Sequence, residues 1–203
     1  IQICMKKIKS IKEVISKEKA KFCFDYLCLK KQVFNTLNKD SKEIVHQIFG
    51  RQGDKLLPKA YAIYCDPLID LLSMECKPYV EKVLKKKLIQ TFSYARVHTR
   101  GDELKPHRDR GACEIAVSMF LGGDTWSFYI DKNKINLNSG DMVIYNGVKL
   151  KHWRKKFDKK ISVQACFFYS NDKKQKFDGK PHLGLPANFI TTATNNVEKE
   201  NKK

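Results

Sequence analysis

The sequence contains no apolar run approaching the ~18 residues that would span a bilayer. Its opening, IQICMKKIKS, lacks the apolar core and small-residue cleavage site of an export signal. A membrane partner is therefore not expected, and the chain reads as soluble and cytoplasmic. Cysteine is present, but the pairing that would make it structural is not. Cys4, Cys23, Cys28, Cys65, Cys76, Cys113 and Cys166 include no CxxC pair and are odd in number, which fits reduced core thiols better than a disulfide framework. No GxxxxGK phosphate loop and no internal repeat occur. Arginine is sparse, and that counts against a dedicated nucleic-acid surface, because specific phosphate and base contacts draw on its planar fork.

What is plentiful is lysine. The formal net charge is +18, a field that attracts phosphates or acidic partners. The lysines are spread along the whole chain among many Asn and Ile residues, so a general compositional bias accounts for them better than a designed patch. With 203 residues, 42% hydrophobic and 11% aromatic, the chain is long enough for one domain with a real core and not comfortably for two.

The texture changes partway along. Residues 16–38 place Phe22, Tyr26, Leu27, Val33 and Leu37 at helical spacing behind a Ser16 cap. A short helix is expected over 41–48. A third is expected over about 67–87, with Leu68, Leu71, Leu72, Met74, Val80, Val83 and Leu84 as its apolar face and Pro78 kinking or dividing it. From Leu88 onward TFSYARVHT, EIAVSMFL, TWSFYI, KINL, DMVIY and ISVQACFFY are β-rich segments separated by GD, GGD, DKNK and NSGD turns. Gly122, Gly123, Gly140 and Gly147 read as turn formers. Helices followed by strands argue an α+β protein, with helices on one face of an antiparallel sandwich. The expected organisation is a single domain: helical support over about 11–88, a β-sandwich core over about 89–170, and a polar tail over about 171–203.

The chemistry centres on KPHRDRGACEI at 105–115. A kinase catalytic loop would continue HRDLxxxN and need a glycine-rich loop and a DFG, all missing here. A metal reading makes a different demand: His107 and Asp109, at i and i+2 on an extended segment, point the same way and need a third ligand from elsewhere. His152 follows a turn and a buried-looking strand that can return the chain to them. His98 and His182 are the rival ligands. Two imidazoles and one carboxylate on one face of an octahedral ion leave three adjacent positions open, the arrangement used by non-haem Fe(II) oxygenases.

The HxD at 107–109, the Gly140-Asp141 turn, the MVIYNG strand, His152 in HWR and the terminal strand ending ACFFY together resemble the 2-oxoglutarate/Fe(II)-dependent dioxygenase superfamily. The similarity is to its prolyl 4-hydroxylase-like branch and covers roughly residues 88–170. The resemblance implies a double-stranded β-helix (jelly-roll, cupin-like) core with the N-terminal helices packed on one face. It implies an enzyme in which His107, Asp109 and His152 hold Fe(II), with 2-oxoglutarate as co-substrate, dioxygen as oxidant and ascorbate as an auxiliary reductant. Decarboxylation of 2-oxoglutarate to succinate would accompany hydroxylation of a C–H bond in a peptide, protein or small-molecule substrate, a prolyl or other amino-acid residue first among them.

One departure from the family pattern concerns the cation that pairs with the far carboxylate of 2-oxoglutarate. Family members place a Lys or Arg on the strand after the distal His, where this chain has Ser162. Arg154 is the first choice, because it shares the face of His152 if the strand continues and offers a bidentate fork; a surface ion pair with Asp158 or Glu103 is its alternative role. Lys160 is second and Arg96 third. Tyr94 is in phase with Arg96 on the strand before HxD, where the resemblance puts a Tyr against the co-substrate. Gln164 shares one face with Ser162, Cys166 and Phe168, opposite the apolar Val163, Ala165 and Phe167. Arg110 reads as a residue orienting a ligand or binding substrate, and Trp126, Phe128 and Trp153 as the mouth of the pocket or as packing. Two competing readings are a nucleic-acid demethylating dioxygenase, whose RxxxxxR pair after the distal His is missing, and a non-catalytic cupin-like module with a basic surface.

Overall fold

The computed structural model describes residues 8–37, 49–54, 56–171 and 183–184. The helix expected over 41–48 and the rival ligand His182 lie outside the described residues. Two α-helices are described. Helix α1, Lys17–Leu37, starts where Ser16 Oγ accepts a hydrogen bond from the Lys19 N–H, as its cap position requires. Helix α2, Pro67–Leu84, begins with proline at its first position and is capped by Asp66, whose carboxylate accepts from the Leu68 and Ile69 N–H groups. It runs through Pro78 as one element and is not divided there.

The strands are β1 (Lys9–Ile11), β2 (Arg51–Gln52), β3 (Tyr61–Tyr64), β4 (Ile89–Thr99), β5 (Leu104–His107), β6 (Ile115–Gly123), β7 (Phe128–Ile130), β8 (Asn133–Ile135), β9 (Met142–Tyr145), β10 (His152–Arg154) and β11 (Ile161–Ser170). They form a seven-stranded sheet in the order β1-β9-β6-β11-β4-β3-β2 and a four-stranded sheet in the order β5-β10-β7-β8, with every pairing antiparallel. This is the expected jelly-roll core with helices on one face.

The central strands of the large sheet are apolar on both sides because both sides are covered. On β11, Val163, Ala165, Phe167 and Tyr169 join the core shared with the helices, while Phe168 and Cys166 face the second sheet. On β4, Ala95 and Val97 face the helices, and Phe92 and Tyr94 face the second sheet. A two-sided sheet of this kind leaves one inner face free to carry polar chemistry while the other supplies the hydrophobic stabilisation.

Both helices bury much of the apolar face expected of them, Leu27 in α1 and Leu72 and Val80 in α2, with Tyr26, Leu68, Val83 and Leu84 packed against the same core, but not all of it. In α1 the buried residues are Ala20, Cys23, Leu27 and Phe34, whereas Phe22 is 64% exposed. In α2 they are Ile69, Asp70, Leu72, Ser73, Cys76 and Val80, while Leu71 and Met74 are about half exposed. The reason is close approach. A Cβ added at Gly122 of β6 would lie 2.9 Å from the Phe24 ring, so α1 seats tightly over a bare backbone there. In α2 polar residues turn inward because they have partners: Ser93 donates to the Asp70 carboxylate at 2.8 Å, and Ser73 meets the Tyr169 hydroxyl at 3.0 Å.

Candidate active site

The site lies between the two sheets, where register brings its parts together. On β10 His152 is the cross-strand partner of His107 on β5, and directly opposed residues of an antiparallel pair project to the same side. Their rings stand 4.3 Å apart, centroid to centroid. Asp109 follows β5 and is fixed from the other side, where its N–H donates to the Gly147 carbonyl at 2.9 Å. Gly147 is more than a turn former: a Cβ there would fall 2.3 Å from Asp109 Oδ2, so only glycine lets the carboxylate sit where it does. Gly140, by contrast, does have a turn conformation, with φ +89°.

The ligand atoms of His107, Asp109 and His152 lie within 4.8 Å of one another. Each imidazole is oriented by a hydrogen bond from Nδ1 to a carbonyl, Lys105 O at 2.9 Å for His107 and Leu150 O at 3.0 Å for His152. A carbonyl only accepts, so Nδ1 carries the proton in both rings and the Nε2 lone pairs are left bare. Those lone pairs face Asp109 Oδ1 at 3.6 and 3.5 Å, too long for hydrogen bonds. Three acceptors converging on one point need a cation between them. Burial opposes ionisation of Asp109, but the two histidines outweigh it and hold its carboxyl below the ordinary range. Burial likewise pulls the His107 imidazole down, and Asp109 with the Lys105 carbonyl outweighs it and raises it. A proton and a metal ion thus compete for the same point. The donor set, two neutral imidazoles and a carboxylate, suits Fe(II).

Inward from the triad is a narrow cavity of about 90 Å³, lined among others by Tyr94, Arg96, Ser118, Tyr145, Arg154 and Gln164. Arg154 is buried, with its guanidinium over the Phe128 ring at 4.4 Å and the Trp126 ring at 5.2 Å. It donates to the Trp126 carbonyl, and Ser118 Oγ is 3.5 Å away. Among the described residues no carboxylate forms an ion pair with it, which removes the surface pairing with Asp158 or Glu103. Burial lowers its pKa to about 10. Arg96 also lines the cavity but is already neutralised: Asp54 pairs with it at 2.5 Å and accepts from the Tyr94 hydroxyl at 2.7 Å. Its Nε has no hydrogen-bond partner. Gln164 is buried opposite Arg96 in the β4–β11 register.

Other expected residues fall elsewhere. Lys160 is exposed, in the turn before β11, where its N–H donates to Asp124, and it does not line the cavity. Trp153 points away between two inward-facing neighbours and stacks on Tyr129 at 5.6 Å, so it takes no part in a mouth. Phe128 does line the cavity, and Trp126 backs Arg154. His98 lines the cavity too but is not a ligand. It lies 3.6 Å from Asp102 and edge-on to Trp126, and burial drives its pKa down to about 4. Arg110 lies over the Phe92 ring at 4.8 Å and donates to the Tyr64 hydroxyl at 3.3 Å. Sequence reasoning missed Ser118, Tyr145 and Asp54. The β6–β11 register alone, Ser118 opposite Cys166, carried the signal for the first.

No family model matches this sequence, and no curated protein does. Similar solved structures include a prolyl-4-hydroxylase from Pseudomonas putida, 8% identical, with TM-score 0.60 over 81% of this chain and 93% of that one. HygX from Streptomyces hygroscopicus, with nickel and 2-oxoglutarate bound, is 12% identical with TM-score 0.55 over 82% of this chain and 83% of its own. The viral collagen prolyl hydroxylase of Paramecium Bursaria Chlorella virus-1, in complex with 2-oxoglutarate, is 12% identical with TM-score 0.55 over 82% and 96%. The fold is that of the 2-oxoglutarate/Fe(II) oxygenases, including prolyl 4-hydroxylase-like members. Among the described residues no helix is long and apolar enough to cross a membrane.

Proposed function

We propose that this chain is an Fe(II)- and 2-oxoglutarate-dependent dioxygenase that hydroxylates an aliphatic C–H bond, with a prolyl or other amino-acid residue as the first substrate class to test. The observation that carries the reading is the pair of bare Nε2 atoms turned toward the Asp109 carboxylate, which is a poor arrangement without a cation and a good one with it. The fold shared with known oxygenases supports it, and neither the demethylase nor the non-catalytic alternative has a specific feature in its favour. Residues 89–170 would be the catalytic unit of a single domain, with the helices as its support.

His107, Asp109 and His152 would hold the metal, and Arg154 would take the far carboxylate of 2-oxoglutarate. Bound there with dioxygen, these groups supply oxidative decarboxylation to succinate and carbon dioxide together with the oxidant for the C–H bond. The chain's own contribution is positional. The Lys105 and Leu150 carbonyls fix the tautomer and plane of both imidazoles, as is usual for metal-bound histidine. Phe128 and Tyr145 pack edge-on against the His152 ring and keep water from that side. Arg154 stays charged at neutral pH even after burial, because about 10 is still well above it. Ser118 and Gln164 offer further hydrogen bonds to an inner carboxylate.

Calorimetric titration with Mn(II) as a redox-inactive stand-in tests the reading. One equivalent should bind to the wild type and none to Asp109→Ala, and 2-oxoglutarate should then bind only to the metal-loaded wild type. Equal Mn(II) binding by both proteins would remove the triad from consideration.

A further inference from the structure

The four-stranded sheet turns one face to the triad, and among the described residues no helix packs on the other. Its short strands alternate accordingly. On β10 His152 and Arg154 are buried with Trp153 half-buried between them, and on β7 Phe128 and Ile130 are buried with Tyr129 half-buried between them. Register sets Trp153 opposite Tyr129, and Tyr129 opposite Lys134 of β8. The two rings stand 5.6 Å apart between centroids and within 9° of parallel. Four exposed lysines surround them: Lys134 beside Tyr129, Lys151 and Lys155 on either side of Trp153 in the chain, and Lys105 on β5, the other neighbour of β10. The Lys155 ammonium lies over the Tyr129 ring at 5.6 Å.

Among the described residues none of these four lysines has a carboxylate partner. Of the acids nearby, Asp131 accepts from the Lys151 N–H at 3.0 Å, and Glu103 is exposed just before β5. A cross-strand aromatic pair steadies a sheet, and lysine is common throughout this chain, so neither feature alone points to a ligand. Their combination does. Tyr129 carries Trp153 against it and an ammonium over its ring, whereas Trp153 has no second ring and no cation on it among the described residues. The stack is therefore open at the Trp153 end, next to unpaired ammonium groups. A nucleobase continues such a stack while its phosphates meet the lysines, which is how single strands are held without their sequence being read. An acidic peptide supplies the charge without the flat ring, and a duplex has its bases already stacked. The scarcity of arginine agrees with this mode, because readout of base edges draws on arginine and stacking does not.

We infer that the outer face of the four-stranded sheet, centred on Trp153 and Tyr129, is a docking surface for single-stranded nucleic acid. Stacking on Trp153 and contacts from Lys105, Lys134, Lys151 and Lys155 to phosphates hold the strand. The surface lies on the opposite side of β10 from His152 and Arg154, so it is an accessory surface and not the substrate pocket. It coexists with the dioxygenase reading and does not rest on it.

The test uses the full chain after chelator treatment, with fluorescein-labelled oligothymidylate and oligouridylate of about 12 nucleotides, read by anisotropy. At least one should bind, and their ratio tells DNA from RNA. An unlabelled abasic strand of the same length, which keeps the phosphates and lacks the bases, should compete at least about tenfold less well than the unlabelled oligonucleotide. Tryptophan fluorescence should be quenched by the oligonucleotide and not by a duplex of the same length. Trp153→Leu, which keeps Trp126, should lose that quenching and bind roughly 5- to 100-fold more weakly, the effect of one stacked base. Trp153→Phe should recover most of the affinity. Lys134→Gln/Lys151→Gln/Lys155→Gln should bind more weakly and with a shallower salt dependence. No binding of either oligonucleotide, equal competition by the abasic strand, quenching by the duplex alike, or wild-type affinity in Trp153→Leu would each overturn the proposal. The competition and quenching experiments on the wild type need no variant to fold. Oligonucleotide binding without Mn(II) binding would leave this inference standing and sink the oxygenase reading; Mn(II) binding without oligonucleotide binding would do the reverse.

Discussion

Replacing Arg154 by Met should leave the protein about as stable as the wild type while abolishing recognition of 2-oxoglutarate, and the two halves together are diagnostic. A guanidinium brought from 12.5 to about 10 by burial carries roughly 3 kcal/mol of unfavourable desolvation. Substitution relieves that. Against it stand the cation–π contacts with Phe128 and Trp126, ~0.5–2 kcal/mol each, and a Trp126 carbonyl left without its donor, ~1–3 kcal/mol. Methionine refills most of the volume, so the sum lies near zero, in line with buried charges exchanged for apolar residues elsewhere. For binding there is no such compensation. Losing the one described guanidinium of the cavity that no carboxylate pairs should weaken 2-oxoglutarate by roughly 2–5 kcal/mol, at least about thirtyfold. Thermal melting with Mn(II), with and without 2-oxoglutarate, reads both effects, since a ligand that binds only the folded state raises the midpoint. A variant that melts far below the wild type yet keeps its ligand-induced rise would refute the reasoning and pass the anchor role to Arg96.

Three further outcomes follow from particular contacts. Gly147→Ala should weaken Mn(II) binding roughly 10- to 100-fold, as displaced support of a ligand does, because the new Cβ meets Asp109 Oδ2; calorimetry alongside an unchanged far-UV spectrum checks it. His98 is buried with a folded pKa of about 4 against 6.5 unfolded, so the unfolded chain takes up the proton first as pH falls. Its contribution is therefore complete above about pH 6.5 and is lost between there and pH 4, roughly 3 kcal/mol in all. Urea midpoints across that range should slope in the wild type and flatten in His98→Phe. Asp66→Ala should cost roughly 2–4 kcal/mol by equilibrium unfolding, because it removes the α2 cap and strands the largely buried Lys30 and Tyr26 partners.

The strands of the second half were legible because turn residues punctuate them and their alternation survives on both faces of the large sheet. β5 and β10 were not read as strands, since four and three residues give alternation little room. Their candidate metal ligands were nevertheless legible, because HxD and HWR needed only the i, i+2 geometry. The helix faces were legible in part: Leu27, Leu72 and Val80 are buried as expected, but hydrophobic size does not reveal that α1 seats over Gly122 and also buries Ala20 and Cys23 while Phe22 stays exposed. Lys160 was considered as an anchor on proximity in sequence, but it stays in the turn while β10 carries Arg154 inward. Gly147 and Asp54 could not have been found from spacing, because each acts through a contact between segments far apart in the chain.

The most direct test of the central claim is succinate formation from 2-oxoglutarate by anaerobically Fe(II)-loaded protein after air is admitted, with no primary substrate, comparing wild type with Asp109→Ala. The account predicts slow succinate production by the wild type and none by the variant. Succinate from both proteins at the same rate, or from neither together with no metal binding by the wild type, would contradict it.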